Sequence, residues 1–296
     1  MDPKYRVCMP PDPNPKTPKL KAPPGACDTH CHIFGPPHEF PYSEERRYTA
    51  PAAPVEHYLL VLDAIGVDRG IVVQPNVHAT DNRVSLDAIA KGGGRLKGVG
   101  RIDDDTTDNE LADMDAGGMR GIRFEFVRGR PGSSNLELFD RMIERVRPLG
   151  WHIELHVDPD VFVELEDWFR ALDDITCVVD HFARIQTRDG LDQPGFKLLL
   201  DLMQRDNYWT KISGGDERTD SPWPYPEVAP FAHALIEVAP DRLMWGTNWP
   251  HSNIFELGHT PNDGELLDLM LDYAPDETIR NKILVDNPAR LFGFAD

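Results

Sequence analysis

Eight short apolar runs rich in β-branched residues, separated by stretches of helical periodicity, constrain this chain more than any other feature. The runs fall at 26–32, 69–75, 96–101, 119–126, 151–157, 175–181, 208–213 and 242–248. Apolar residues recurring every three or four positions predict helices over Val55–Ile65, Ser85–Lys91, Leu136–Val146, Val161–Leu172, Phe196–Met203 and Val228–Val238. Two more, Gly264–Tyr273 and Ile279–Leu284, follow the last run. Strands alternating with helices build right-handed βαβ units and a parallel sheet. Eight such units point to an α/β fold, a (β/α)8 TIM-like barrel, which typically takes about 250 residues as one domain. The alternative, an open doubly wound sheet, lacks its phosphate fingerprint: Gly92-Gly93-Gly94 precedes a strand instead of opening a helix.

The expected organisation is a Pro- and Lys-rich arm over residues 1–25, extended over the surface or mobile, followed by a barrel over 26–296. Apolar residues make up 40% and charged residues 27%, so the chain can build a large core. The formal net charge of −19 argues against nucleic acid and against an acidic membrane surface. An anionic substrate would need a local cluster of Arg or Lys to reverse that field, which makes the arginine positions informative. Cys8, Cys27, Cys31 and Cys177 lack the spacing of a disulfide framework, and a reduced, cytoplasmic setting is expected. No apolar run approaches the roughly 18 residues a membrane span needs, and the N-terminus has no secretory h-region. A homo-oligomer is compatible with all of this.

In a barrel of this kind, functional side chains project from strand C-terminal ends. Here the first strand ends in Asp28-Thr29-His30-Cys31-His32, which puts His30 and His32 on one side of the strand and Cys31 on the other, in the core. The fifth ends near His156, the sixth at Asp180-His181 and the eighth at Asn248-Trp249-Pro250-His251. Each histidine alone is explained by packing; all of them at strand ends point to a site. Imidazoles so arranged suit Zn²⁺ and equally suit a metal-free site that polarises a carbonyl oxygen.

The stretch 28–36 (DTHCHIFGP), together with GMRGIRFEF (118–126), VVDH (178–181) and WGTNWPHSN (245–253), resembles the amidohydrolase superfamily. More narrowly, it is similar to the branch of 2-pyrone-4,6-dicarboxylate lactonases and 4-sulfomuconolactone hydrolases, from about Pro23 to Phe294. The resemblance implies hydrolysis of a small lactone carrying carboxylate or sulfonate groups, in aromatic-compound catabolism. It gives His30, His32 and His181 the task of holding or polarising the lactone carbonyl. Arg123 and Arg130 match positions that grip substrate carboxylates, with Tyr48, Arg128 and Arg218 as further anion contacts. His78, after the second strand, is a candidate to reach the same pocket.

Two positions depart from the family pattern. The superfamily commonly ends strand eight in an aspartate that activates water, whereas this chain has Asn248, and an amide cannot take a proton at neutral pH. Either another base serves, His251 or a metal-bound hydroxide, or Asn248 is an engineered Asp→Asn exchange that traps substrate. His156 stands where the dicarboxylate lactonases carry a tyrosine and metal-dependent members a ligand histidine; the resemblance then implies a nitrogen-rich site of His30, His32, His156 and His181 as ligands, which favours bound Zn²⁺. Two other readings share these residues: a metal-dependent nonoxidative decarboxylase of an aromatic or muconate-like acid, and a binding protein that has lost its base. A covalent serine route is disfavoured, since no G-x-S-x-G elbow occurs.

Overall fold

The computed structural model describes residues 4–129, 135–252, 254–256, 258 and 260–294. Its principal strands are β1 (Cys27–Cys31), β2 (Arg69–Val73), β3 (Leu96–Gly100), β4 (Met119–Phe126), β5 (His152–Val157), β6 (Cys177–Val179), β7 (Tyr208–Lys211) and β8 (Leu243–Met244). They lie in one eight-stranded sheet in chain order, with helices between successive strands, as a nearly closed (β/α)8 barrel. All eight expected runs became strands. The strands are almost wholly buried, which is why they read as continuous apolar runs with no alternation.

The chain forms two compact units, Met1–Arg120 with Thr247–Asp268 and Gly121–Gly246 with Leu269–Asp296. In the first, β1, β2 and β3 are parallel neighbours, and the helix Val55–Ile65 buries Tyr58, Leu62 and Ile65. The segment after β8 belongs to this unit: Asn248 N–H donates to His30 O at 2.8 Å, and His32 N–H donates to Trp249 O at 2.7 Å. Between Arg6 and Gly25 the Pro- and Lys-rich segment is pinned at intervals. Arg6–Val7 pairs with Tyr48–Thr49, Lys16 N–H donates to Asn262 Oδ1, and Leu20 N–H donates to Asp268 Oδ1.

In the second unit β5 pairs with β4 and β6, and β7 with β6 and β8, all parallel. The helix expected over Val161–Leu172 is two helices, Pro159–Glu164 and Glu166–Ala171, because Leu165 leaves the helical region at φ −103°, ψ 19°. Seven residues of straight helix would hold Phe162 and Phe169 about 10 Å apart. The break lets their rings meet edge to face at 4.8 Å. The expected C-terminal helices are likewise divided, Asp263–Asp268 from Met270–Tyr273, and Glu277–Asn281 from Asn287–Phe292 by a wide turn at Lys282–Asp286. A helix at Asp108–Ala116 has only two buried side chains and therefore little periodicity. Its sequence mark is the reciprocal cap between Thr107 and Glu110. No helix among the described residues is long and apolar enough to cross a membrane.

Candidate active site

In the first unit the end of β1 carries His30 and, just beyond it, His32, both buried, their rings in edge-to-face contact at 4.9 Å. His32 Nδ1–H donates to Val73 O at 2.7 Å, so its lone pair sits on Nε2. Asp28, which the sequence reading left without a role, holds this strand end to the segment after β8. It accepts from His30 N–H, Tyr58 O–H, Thr247 N–H and Thr247 Oγ1–H. Complete burial raises its carboxyl to about 6 against the pull of those four hydrogen bonds.

Asn248 and His251 begin and end a tight turn closed by His251 N–H donating to Asn248 O at 2.9 Å. Both adopt left-handed backbone, φ 64° and 60°, a conformation that costs a side-chain-bearing residue about 1–2 kcal/mol. Such strain concentrates where a side chain must be aimed. His251 pairs with Asp263, a residue the sequence reading did not single out. Tyr48 is buried in the short pairing with Arg6–Val7. His78 is buried against Tyr42 and donates to Pro41 O; burial holds its pKa below the usual imidazole value.

In the second unit a chain of buried charges runs across β4, β5, β6 and β7. Arg123 Nε–H donates to Asp180 Oδ2 at 2.8 Å; Lys211 Nζ lies 3.3 Å from Asp180 Oδ1 and 2.5 Å from Glu154 Oε1. Lys211, Glu154 and Asp180 are fully buried, so each charge must be balanced by its neighbour. Lys211 and Glu154 went unnoticed in the sequence, although a lysine and a glutamate inside otherwise apolar strands are the available signal.

Past β6 the backbone turns left-handed for four residues, His181, Phe182, Ala183 and Arg184, at φ 51°, 56°, 52° and 55°. By the same per-residue cost this is the most strained segment described here. His181 is buried, and its Nδ1 shares a 2.8 Å hydrogen bond with Ser213 Oγ. A Cβ on Gly214 would sit 3.2 Å from that nitrogen, so glycine is what lets the two segments approach. Burial, reinforced by Arg123, Lys211 and Arg218 against the pull of Asp180, holds His181 well below the usual imidazole pKa, neutral at pH 7.

His156 is half-buried, with guanidinium groups on both ring nitrogens: Arg123 Nη2 at 2.7 Å from Nδ1 and Arg184 Nη1 at 2.6 Å from Nε2. Arg218 is buried; Nη2–H donates to Glu217 at 2.8 Å, while Nε has no hydrogen-bond partner among the described residues. Arg128 is exposed and pairs with Glu164 at the surface. Arg130 lies outside the described residues.

In the second unit Asp180 and His181 are buried neighbours that could each offer a ligand atom to a metal ion. A carboxylate oxygen and an imidazole nitrogen suit Zn²⁺, and the Ser213 contact on Nδ1 leaves His181 Nε2 for it.

A parallel (β/α)8 barrel with histidines and an aspartate at its strand ends defines the class, and the amidohydrolase family model matches residues 27–294: the chain belongs to the amidohydrolase family. It is 46% identical over 272 residues to a 4-sulfomuconolactone hydrolase of Rhizobium radiobacter, covering 92% of this chain and 91% of that one. It is 38% identical over 289 residues to a 2-pyrone-4,6-dicarboxylate hydrolase of Comamonas testosteroni, covering 94% and 93%. The solved structure of an Acinetobacter baumannii protein with citric acid bound superposes with a TM-score of 0.79 at 28% identity, covering 91% of this chain and all of that one.

Proposed function

We propose that this protein hydrolyses a small anionic lactone of the 4-sulfomuconolactone or 2-pyrone-4,6-dicarboxylate type. The observation that carries the reading is a pair of buried guanidinium groups, Arg123 at 5% exposure and Arg218 at 4%, in a chain of net charge −19. Arg123 is paired with Asp180 and Arg218 with Glu217, but Arg218 Nε has no hydrogen-bond partner among the described residues, so a buried charged donor remains for an anion to complete. A substrate carboxylate or sulfonate fits the guanidinium fork. The relatives named for a sulfonated and a dicarboxylated lactone support the choice of substrate.

In this mechanism Arg123 and Arg218 hold the acidic substituents, with Arg130 and Tyr48 in support, and His78 on the pocket wall. His30, His32 and His181 face the lactone carbonyl, and Lys211 with Arg123 keeps positive charge close to Asp180. Water attacks the carbonyl carbon and the ring C–O bond breaks. The products are a new carboxylate, an alkoxide or enolate that takes up a proton, and one proton released to solvent. His251 takes the proton from the attacking water, because the amide of Asn248 cannot. Fixed donors aimed at the developing oxyanion lower the barrier most. If Zn²⁺ is bound, His30, His181 and Asp180 would hold it, and it would supply Lewis-acid polarisation of the carbonyl oxygen. No disulfide joins Cys8, Cys27, Cys31 or Cys177 to another described residue, which fits a reducing cytoplasm.

Metal analysis of the purified protein and a proton-release assay on both lactones test the proposal together. Proton release stoichiometric with ring opening supports it. Carbon dioxide release from a related acid, or binding with no turnover of either lactone, overturns it in favour of a decarboxylase or a binding protein.

A further inference from the structure

We infer that Asn262, with the N-terminal arm docked on it, is the support that aims Asp263 at His251: Asn262 is a positioning residue for proton transfer, acting through the carboxylate that follows it in the chain. This rests on the lactonase reading with His251 as the base, and it gives the Pro- and Lys-rich arm a task in the reaction.

All of the geometry lies within the first unit. Asn262 is 7% exposed. Its Oδ1 accepts from Lys16 N–H at 2.9 Å and Gly264 N–H at 3.2 Å, and its Nδ2 donates to Asp12 Oδ2 at 2.9 Å and Asn14 O at 3.4 Å. An amide offers two lone pairs and two N–H groups, so these four contacts use its full capacity and fix which end is which. Three of the four partners belong to the arm, 246 to 250 residues away in the chain. Gly264 completes the seat: a Cβ there would collide with Lys16 O, so the arm backbone runs flush against the start of the helix Asp263–Asp268. Lys16 Nζ pairs with Glu265, and Leu20 N–H donates to Asp268 Oδ1.

That helix needs such a strap. It has six residues, roughly 9 Å of length, and a helix so short is not stable by itself. Leu266 and Leu267 are buried, but Asp263 stands at the first position, where no preceding turn holds the backbone. Asp263 is fully buried with Oδ1 3.0 Å from His251 Nε2. A displacement of about 1 Å in a catalytic constellation can cost about a hundredfold in rate. Pro10, Pro11, Pro13, Pro15 and Pro18 stiffen the arm and reduce the entropy it loses on docking.

Deleting the arm would also remove the pairing of Arg6–Val7 with Tyr48–Thr49, so the test uses point changes in the full chain, with melting temperatures to establish that each folds. Asn262→Asp keeps the shape and both acceptors and sets a carboxylate against Asp12. Steady-state kinetics on 4-sulfomuconolactone, a doubly charged lactone, should give a kcat at least tenfold lower with KM within about twofold. Adding Asp12→Asn puts a donor back across the same contact and should return kcat to within about threefold of wild type. In an Asp263→Asn background Asn262→Asp should cost less than threefold, because its effect passes through the carboxylate already removed. Two-bond proton–nitrogen spectra of histidine-labelled protein, assigned with His251→Gln, need no turnover. The wild type should hold the His251 proton on Nε2; Asn262→Asp should mix the two tautomers, and Asp12→Asn should restore the one. If Asn262→Asp does not fold, Lys16→Pro removes a single arm donor and should move kcat and the tautomer signal the same way. An unmoved kcat and tautomer signal, a loss that Asp12→Asn leaves uncorrected, or an undiminished effect in the Asp263→Asn background overturns the inference. If the wild type hydrolyses neither 4-sulfomuconolactone nor 2-pyrone-4,6-dicarboxylate, the lactonase reading fails while the tautomer spectra still decide the role of Asn262.

Discussion

His251 Nε2–H donates to Asp263 Oδ1 across 3.0 Å, both side chains buried, and this contact decides which nitrogen of the imidazole keeps a lone pair. With the proton fixed on Nε2, Nδ1 is the basic atom. A buried carboxylate beside it stabilises the imidazolium that forms when His251 takes a proton, as in other His–carboxylate pairs. Asp263→Asn keeps an acceptor and removes the charge. The expected outcome is a kcat at least tenfold lower, KM within twofold, and the acid limb of the pH–rate profile moved to lower pH. An unmoved limb would show that His251 is not the base.

Asn248→Asp restores a carboxylate next to the same turn. General-base catalysis contributes about 10²–10⁴-fold, so turnover should rise, by tenfold or more if water activation limits the wild type. The two bases should also overlap. His251→Gln should cost much less in the Asn248→Asp background than in the wild type, a coupling measured by a double-mutant cycle. Additive effects would place His251 outside proton transfer.

Arg218→Gln removes a charged hydrogen-bond donor from the proposed anion site. Hydrogen bonds to charged groups contribute about 1.5–3 kcal/mol, so KM for the doubly charged lactone should rise about ten- to a hundredfold. Steady-state kinetics read it directly. A change confined to kcat would contradict an anion-binding role.

Lys211→Met removes the lysine that pairs with both Glu154 and Asp180, inside a fully buried network. Breaking a buried pair by removing one partner costs about 3–5 kcal/mol, which should appear as a lower urea midpoint at an unchanged m-value. The double change Lys211→Met, Glu154→Leu should recover part of that loss.

Asp28 supplies a pH dependence of known sign. Its folded carboxyl titrates at about 6 against an ordinary 3.8, so the folded state holds this proton more tightly than the unfolded chain does. The resulting stabilisation is full below pH about 4 and is lost as pH rises through about 6, by at most about 3 kcal/mol at 1.36 kcal/mol per pKa unit. Asp28→Asn lacks that titration. Urea unfolding of both proteins from pH 4 to 7 should show the wild type losing stability relative to the variant over this window. Parallel curves would place the carboxyl at an ordinary pKa.

Part of the candidate site could be read from the sequence. His30, His32, His181 and Asn248 stand at strand ends because a polar residue that terminates an apolar run is visible in one dimension. Arg123 and Arg218 were found by likeness to a family, and both are buried. Arg128 and His156 carried the same kind of signal but a different environment, the first exposed beside Glu164 and the second between two guanidinium groups. Asp28, Glu154, Lys211, Asp263 and Arg184 carried little signal. Each is an ordinary charged residue until its partner is known.

What the sequence determined by itself is the alternation of strands and helices and hence the barrel, because strand and helix periodicities arise from neighbours a few residues apart. What only the tertiary structure decided is which charges meet: Lys211 with Glu154 and Asp180, His251 with Asp263, Arg184 with His156. Those pairs are separated by 12 to 57 residues along the chain. Electrostatic pairing depends on distance in space and on the exclusion of water, and both exist only once the strands have assembled.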